Sequence, residues 1–387
     1  MKNPKSIRCL RELTHASTLA GLFAMLFAIA GCGGGDAQEP LSIPVSAPVP
    51  VPARNSGVAG NPLGTAPIPV EARAVNTTSP TTVIGTGTPA SCTGSAVVSA
   101  VALGGVITFN CGADPVKIEM SNTAKVFNNR PDVTLDGGGK ITLDGKGTQR
   151  ILYQNTCDSN QVFTTPQCQN QEFPKLTVQN MIFVNGNSVG EKIEGGGGGA
   201  IFVRGGQLKI VNSKFFNNQC DPTGPDVGGG AVRALSIYND NPVYVVNSTF
   251  GGRPDLGNKC ANGGALSSIG VSYSVLNSVF INNQAIGRGA NPARAGQPGG
   301  GSGGAIYNDG NTFTLSIAGS IFSDNTANEG GGAVFYVSND QTGNLSLIKS
   351  TFVRNLSKGF ETPPYPGFFI KAAPGQPVND GSTFSIN

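Results

Sequence analysis

The chain has 387 residues, 56 of them glycine, and only 13 % are charged, which suits a turn-rich β fold better than a helical one. Its net charge of +3 comes from the head of the chain: Lys2, Lys5, Arg8 and Arg11 face a single acid there, Glu12, and beyond residue 31 the 26 bases fall to 22 and the 23 acids to 22. A neutral remainder without a basic run lacks the electrostatic footprint of a nucleic-acid binder and the polybasic patch that anionic lipid attracts.

The four cations precede an apolar run, Leu19 to Ala30. That run is too short to cross a bilayer as a helix, which takes about 20 residues, and it reads as a cleavable export signal. It ends in Ile29-Ala30-Gly31-Cys32, which resembles a bacterial lipobox. The resemblance implies cleavage after residue 31 and a lipid on Cys32. With Gly33 next rather than Asp, it also implies the outer membrane, the domain being periplasmic or surface-exposed. Residues 32–88 then read as a Pro-rich tether, with Pro44, Pro48, Pro50, Pro52, Pro62, Pro67 and Pro69 keeping the backbone extended. The folded domain is expected over 89–387, opening with a short amphipathic helix at 93–102 that caps the first layer.

Six cysteines remain after Cys9 and Cys32: Cys92, Cys111, Cys157, Cys168, Cys220 and Cys260. An even number in an exported chain predicts disulfides. Fifteen pairings are open, and sequential pairing is the simplest. There is no CxxC, and His15, in the signal, is the chain's one histidine, so neither a zinc site nor any other metal or cofactor is expected. Asp132, Asp136 and Asp144 are close enough in sequence to suggest calcium or an acid/base pair. Asp136-Gly137 and Asp144-Gly145 are, however, turn dipeptides after strands, and turn chemistry is the better reading. Lys146 and Arg150 are expected to pair with acids.

Two motifs alternate through the second half. The first is Gly-Gly-Ala and an aliphatic residue, at Gly198–Ile201, Gly229–Val232, Gly263–Leu266, Gly303–Ile306 and Gly331–Val334, its alanines 31, 34, 40 and 28 residues apart. The second is Asn-Ser-x-Phe, at Asn212–Phe215, Asn247–Phe250 and Asn277–Phe280, with looser copies ending in Phe183, Phe322 and Phe352. Asn218, Asn283, Asn325 and Asn355 follow three residues after a Phe. Short β-branched runs precede the second motif, such as Val243-Tyr244-Val245-Val246. One such period, ~30 residues, cannot bury its own apolar face, so successive periods must stack as a solenoid. Stacking predicts a ladder of phenylalanines inside and a ladder of asparagines at a bend. The pattern resembles the GGAI and FxxN repeats of chlamydial polymorphic outer membrane proteins and of right-handed parallel β-helix proteins more widely. That resemblance implies an all-β, right-handed parallel β-helix. The carboxy-terminal pattern of a membrane-embedded translocator is not present, so a lipid anchor would replace it.

Alternation along the first motif puts Ile201, Val232, Leu266, Ile306 and Val334 inside. It then turns Phe202, Arg233, Ser267, Tyr307 and Phe335 outward, followed by Arg204, Leu235, Ile269, Asp309 and Val337. Arg204, Arg233, Tyr307 and Asp309 are the candidate ligand-binding residues, because aromatics and arginines together suit an acidic glycan. The glycine-rich insertions at 219–229 and 284–302 read as surface loops. Without a histidine in the domain, a Ser-His-Asp or Cys-His site is impossible. The chain therefore reads as a non-catalytic adhesin, a polysaccharide- or macromolecule-binding module, or a structural spacer. The alternative is a polysaccharide lyase, and it requires an Arg and at least two carboxylates converging in one groove.

Overall fold

A computed structural model describes residues 57–191 and 196–387. The export signal, Cys32 and the start of the Pro-rich segment lie outside the described residues. Every pairing between named strands is parallel, in sheets of 17, 8 and 4 strands, and the chain is an all-β parallel solenoid. Each full coil runs the same course. A strand of the eight-stranded wall, such as Ile306–Gly310, leads through a turn to a strand of the long wall, Thr314–Ala318. A sharp bend follows, then a three-residue strand, Ile321–Ser323, and a second bend into the four-stranded wall, Thr326–Ala327.

The bends explain the asparagines. Asn180, Asn212, Asn247 and Asn277 at the first bend, and Asn185, Asn217 and Asn282 at the second, all have φ between 46° and 57°. Asn tolerates this left-handed region better than any other residue except Gly. Between the bends, the middle of each short strand points inward, and it is a Phe. Phe183, Phe215, Phe250, Phe280, Phe322, Phe352 and Phe384 stack with ring centroids 4.4–5.1 Å apart. All but the last are buried.

Just past the second bend, Asn218, Asn258, Asn283, Asn325 and Asn355 form a buried ladder. Each of the first four donates its Nδ2 to the next Oδ1 at 2.8–2.9 Å and to a phenylalanine carbonyl of the preceding coil at 2.9–3.2 Å. Asn258 completes the ladder eight residues after its Phe rather than three, because the turn at Pro254–Leu256 is inserted between them. Spacing alone missed it. A serine ladder runs beside the first bend: the N–H groups of Ser213, Ser248, Ser278, Ser320 and Ser350 each donate to the next serine Oγ at 3.0–3.1 Å. Together these ladders satisfy polar groups that repeat at every coil and have no water to turn to.

The helix Gly94–Leu103 forms as expected, with Thr93 accepting from the Ala96 N–H as its N-cap and Gly104 at φ 75° ending it. Val97, Ala100 and Val101 join the main core. Disulfides join Cys92 to Cys111, Cys157 to Cys168, and Cys220 to Cys260, with Cα–Cα distances of 5.7, 5.0 and 4.8 Å. The last pair ties neighbouring coils. Among the described residues, no helix is long and apolar enough to cross a membrane.

The expected tether is not free over its second half. Residues from Gly57 onward lie against the long wall, where Ala66, Ile68 and Ala72 pack on Val211, Val246, Leu276 and Ala318. The wall carries a sequence signal for this cover. Its strands end in two apolar residues in a row, Ile210-Val211, Val245-Val246, Val275-Leu276 and Ile317-Ala318, where a solvated face calls for alternation.

Candidate functional site

The inward set of the first motif is buried in the core as alternation requires: Ile201, Val232, Leu266, Ile306 and Val334 have no exposed surface. The next residues do leave the core, and they stand in register up the eight-stranded wall, Tyr153, Phe202, Arg233, Ser267, Tyr307, Phe335 and Phe369. They are nevertheless not an open shelf. Arg233 is 2 % exposed, and Phe202, Ser267 and Tyr307 have no exposed surface at all. The insertions that read as surface loops fold back over the wall. Gly228 lies on Ser267, so close that a Cβ there would stand 2.7 Å from the Ser267 Cβ, and Asn291 reaches Tyr307 from the other loop.

Arg233 is a buried cation without an ion pair among the described residues. Its Nη1 donates to the Gly228 carbonyl at 3.5 Å, and its Nε has no partner. Burial brings its pKa down to about 10. Arg150 behaves alike. Expected to pair with an acid, it instead donates to the carbonyls of Gly198 and Gly197 at 3.0 and 2.9 Å, and it lies over the rings of Tyr153 and Phe202. Burial lowers its pKa as well. Lys146 does meet an acid, Glu119, at 3.5 Å.

Tyr307 and Asp309 are brought together, the Tyr307 hydroxyl donating to Asp309 Oδ2 at 3.1 Å. The structure adds two loop residues that no motif marks. Asn291 Nδ2 donates to Asp309 Oδ2 at 3.1 Å, to Asp226 Oδ1 at 2.8 Å and to the Tyr307 oxygen at 2.9 Å. Asn339 Nδ2 donates to Asp309 Oδ1 at 3.0 Å. Burial raises the Asp309 carboxyl above its ordinary range, the Tyr307 and Asn339 hydrogen bonds oppose this, and the Asp226 charge adds to it. Tyr307 is pushed well above the usual phenol value by burial first and Asp309 second. Arg204 stays apart. It is half-buried and three coils from Asp309 along the stack, ~14 Å at about 4.8 Å per coil.

Most of this cluster is bonded internally, and its exposed members are Asp226 and Asn339 at the edge of the loops, which leave hydrogen-bonding capacity for a hydroxyl-bearing ligand. The cluster is poorly arranged for catalysis. One amide nitrogen fills the gap between the two carboxylates, where a scissile bond would have to lie. The wall strands place Arg233 two coils from Asp309, ~10 Å, and beneath the loops rather than beside a groove. The aspartates read as turn chemistry are likewise occupied. Asp136 accepts from Asn180, Gln179, Thr77 and the Gly138 N–H, and Asp144 from Lys117, Asn185 and the Lys146 N–H.

A second polar surface lies at the turns, a cleft of about 340 Å³ edged by Gln169, Asn170, Asn239, Asp240 and Ser272 over Ile237 and Val271. Asn239 and Asp240 both have positive φ, 52° and 54°. Searches of protein-family models, curated proteins and solved structures return no match to this chain.

Proposed function

We propose that this chain is a non-catalytic module, exported and held by a lipid on Cys32 at the outer membrane, whose solenoid presents a binding surface for a polysaccharide or another cell-surface macromolecule. The carrying observation is Asn291, whose amide joins Asp226 to Asp309 while Arg233 lies buried without an acid partner. A lyase needs an Arg and two carboxylates facing substrate together; here the two carboxylates are tied to one amide, and Arg233 lies beneath the loops rather than facing outward. The parallel crossovers favour right-handed winding, the hand of about 98 % of such connections. The helix Gly94–Leu103, packed on the amino-terminal strands, serves as the cap that a solenoid end requires.

The test uses residues 33–387, which contain every described contact. Acidic and neutral polysaccharides are incubated with the protein, with and without Ca²⁺, and followed for unsaturated ends and new reducing ends. No turnover, with saturable binding that weakens in Asp309→Asn, is the expected result. Turnover that disappears in Arg233→Ala or Asp309→Asn would replace this proposal with the lyase. For the anchor, the membrane-extracted chain should lack residues 1–31 and carry acyl mass on Cys32, and Cys32→Ala should release it.

A further inference from the structure

Residues 57–77 form a strap across the outer face of the long wall, and its recognition is specific. Asn277 brackets Ala66: the Ala66 N–H donates to Asn277 Oδ1 at 2.9 Å, and Asn277 Nδ2 donates to the Ala66 carbonyl at 3.0 Å. Gln179 does the same to Val75, at 2.8 and 3.0 Å. Each side-chain amide thus offers an extended peptide the paired donor and acceptor that a neighbouring strand would offer. Further along, Lys209 Nζ donates to the Glu71 carbonyl, the Tyr244 hydroxyl to the Glu71 carboxylate, and the Gly60 N–H to Thr249 Oγ1.

These bonds read mostly backbone, and side-chain selectivity enters at two kinds of position. Ala66, Ile68 and Ala72 cover the apolar row of the wall. Gly60 and Gly64 approach the first bend too closely for any side chain. A Cβ at Gly64 would lie 2.7 Å from the Gly319 carbonyl oxygen and 2.8 Å from the Asn277 Cβ, and one at Gly60 would lie 2.6 Å from the Asn247 Cα.

We propose that this groove is a peptide-docking site and that its occupant in trans is the same strap from a second copy of the chain, so that neighbouring molecules exchange straps. A strap from another copy makes every contact that the resident one makes. The closed and exchanged states therefore differ in connectivity alone, which is the condition for domain swapping. The hinge is in place. Between the strap and the first strand, Thr82–Ile84, residues 78–80 make no hydrogen bond to the solenoid among the described contacts; Thr78 bonds only Asn76. The resident strap holds its advantage through effective concentration, on the order of millimolar, so exchange belongs to crowded molecules such as those sharing a surface.

The probe is a fluorescein-labelled synthetic peptide of residues 57–79, titrated into residues 33–387 and read by polarisation. Saturable binding displaced by unlabelled peptide is expected, and a Gly64→Val peptide should bind at least about tenfold more weakly. Gly64→Val in the chain itself loosens the resident strap, so that chain should take up the wild-type peptide about tenfold more tightly; the peptide-side substitution keeps the test valid if this variant folds poorly. Sedimentation of the unlabelled protein should show a dimer that grows with concentration and dissociates when excess peptide is added. Absence of peptide binding at millimolar concentration, or equal binding by the Gly64→Val peptide, would overturn the docking site. A monomer at all concentrations, or a dimer indifferent to peptide, would overturn the second copy as its occupant.

Discussion

Asn283 stands at the centre of the buried asparagine ladder and has no exposed surface. Its Nδ2 donates to the Phe250 carbonyl and to Asn325 Oδ1, both at 2.9 Å, and its Oδ1 accepts from the Asn258 N–H at 3.2 Å and Asn258 Nδ2 at 2.9 Å. Asn283→Ala strands the Asn258 N–H and one Asn258 amide hydrogen, whereas the Phe250 carbonyl keeps the ladder bond from the Ile281 N–H that its parallel pairing with Phe280 entails. Asn325 Oδ1 is spared, because it still accepts from the backbone N–H of residue 283. Two buried groups at roughly 1–3 kcal/mol each put the loss near 2–6 kcal/mol, less where water enters. The control is Asn217→Gly. Asn217 is exposed at φ 52° and makes one ladder bond, to Asn185, and Gly accepts that backbone, so its change should stay within about 1 kcal/mol. Urea unfolding followed by circular dichroism gives both values. Hydrogen exchange at the amides of 250–258 and 325 shows whether the loss is local to the ladder, as expected in a stack of repeats. An Asn283→Ala cost below 1 kcal/mol, or one no larger than the control, would refute the reasoning that ladder satisfaction holds this corner together.

Arg233→Met removes a buried cation that has no ion pair and keeps the volume, so urea stability should hold or rise by up to about 4 kcal/mol; a large loss would mean that the guanidinium has a partner. Phe280→Ala empties a site stacked at 4.8 and 4.4 Å on both sides and should cost about 3–5 kcal/mol in the same assay. The Cys220–Cys260 bridge closes a separation of 40 residues, and replacing both cysteines by Ser should lower stability by about 2–4 kcal/mol. Burial raises the Asp136 carboxyl, but donors from Asn180, Gln179, Gly138 and Thr77 outweigh it and hold the pKa below the ordinary value. Its stabilising contribution is therefore present above about pH 4 and fades as pH falls through the depressed folded value, so Asp136→Asn should flatten the acid limb of the stability curve.

Much of this architecture is local in origin, and so it was legible in the sequence. A stack of coils places equivalent residues on top of one another, and a one-dimensional repeat then becomes a ladder without further information. The Phe of each Asn-Ser-x-Phe motif, the Gly-Gly-Ala corners and most of the buried asparagines follow from that; the helix, expected at 93–102 and found at 94–103, and the sequential cysteine pairing, the simplest of fifteen, are separate local readings that the structure matches. What repeats did not encode was decided by segments outside the repeat. Alternation separated the two faces of the eight-stranded wall correctly, yet it carries no information on what lies above a face. Only the folded loops at 219–229 and 284–302 decided that Arg233 and Tyr307 are covered, and that Asp309 is reached by Asp226 and Asn291. The strap is the same case: the long-wall strands close in apolar pairs, a signal that the reading of 32–88 as a tether left unused, and the tertiary structure alone identified residues 57–77 as their cover. Periodic burial is a property of a strand and its neighbours in register, whereas the fate of an outer face depends on chain that arrives from elsewhere.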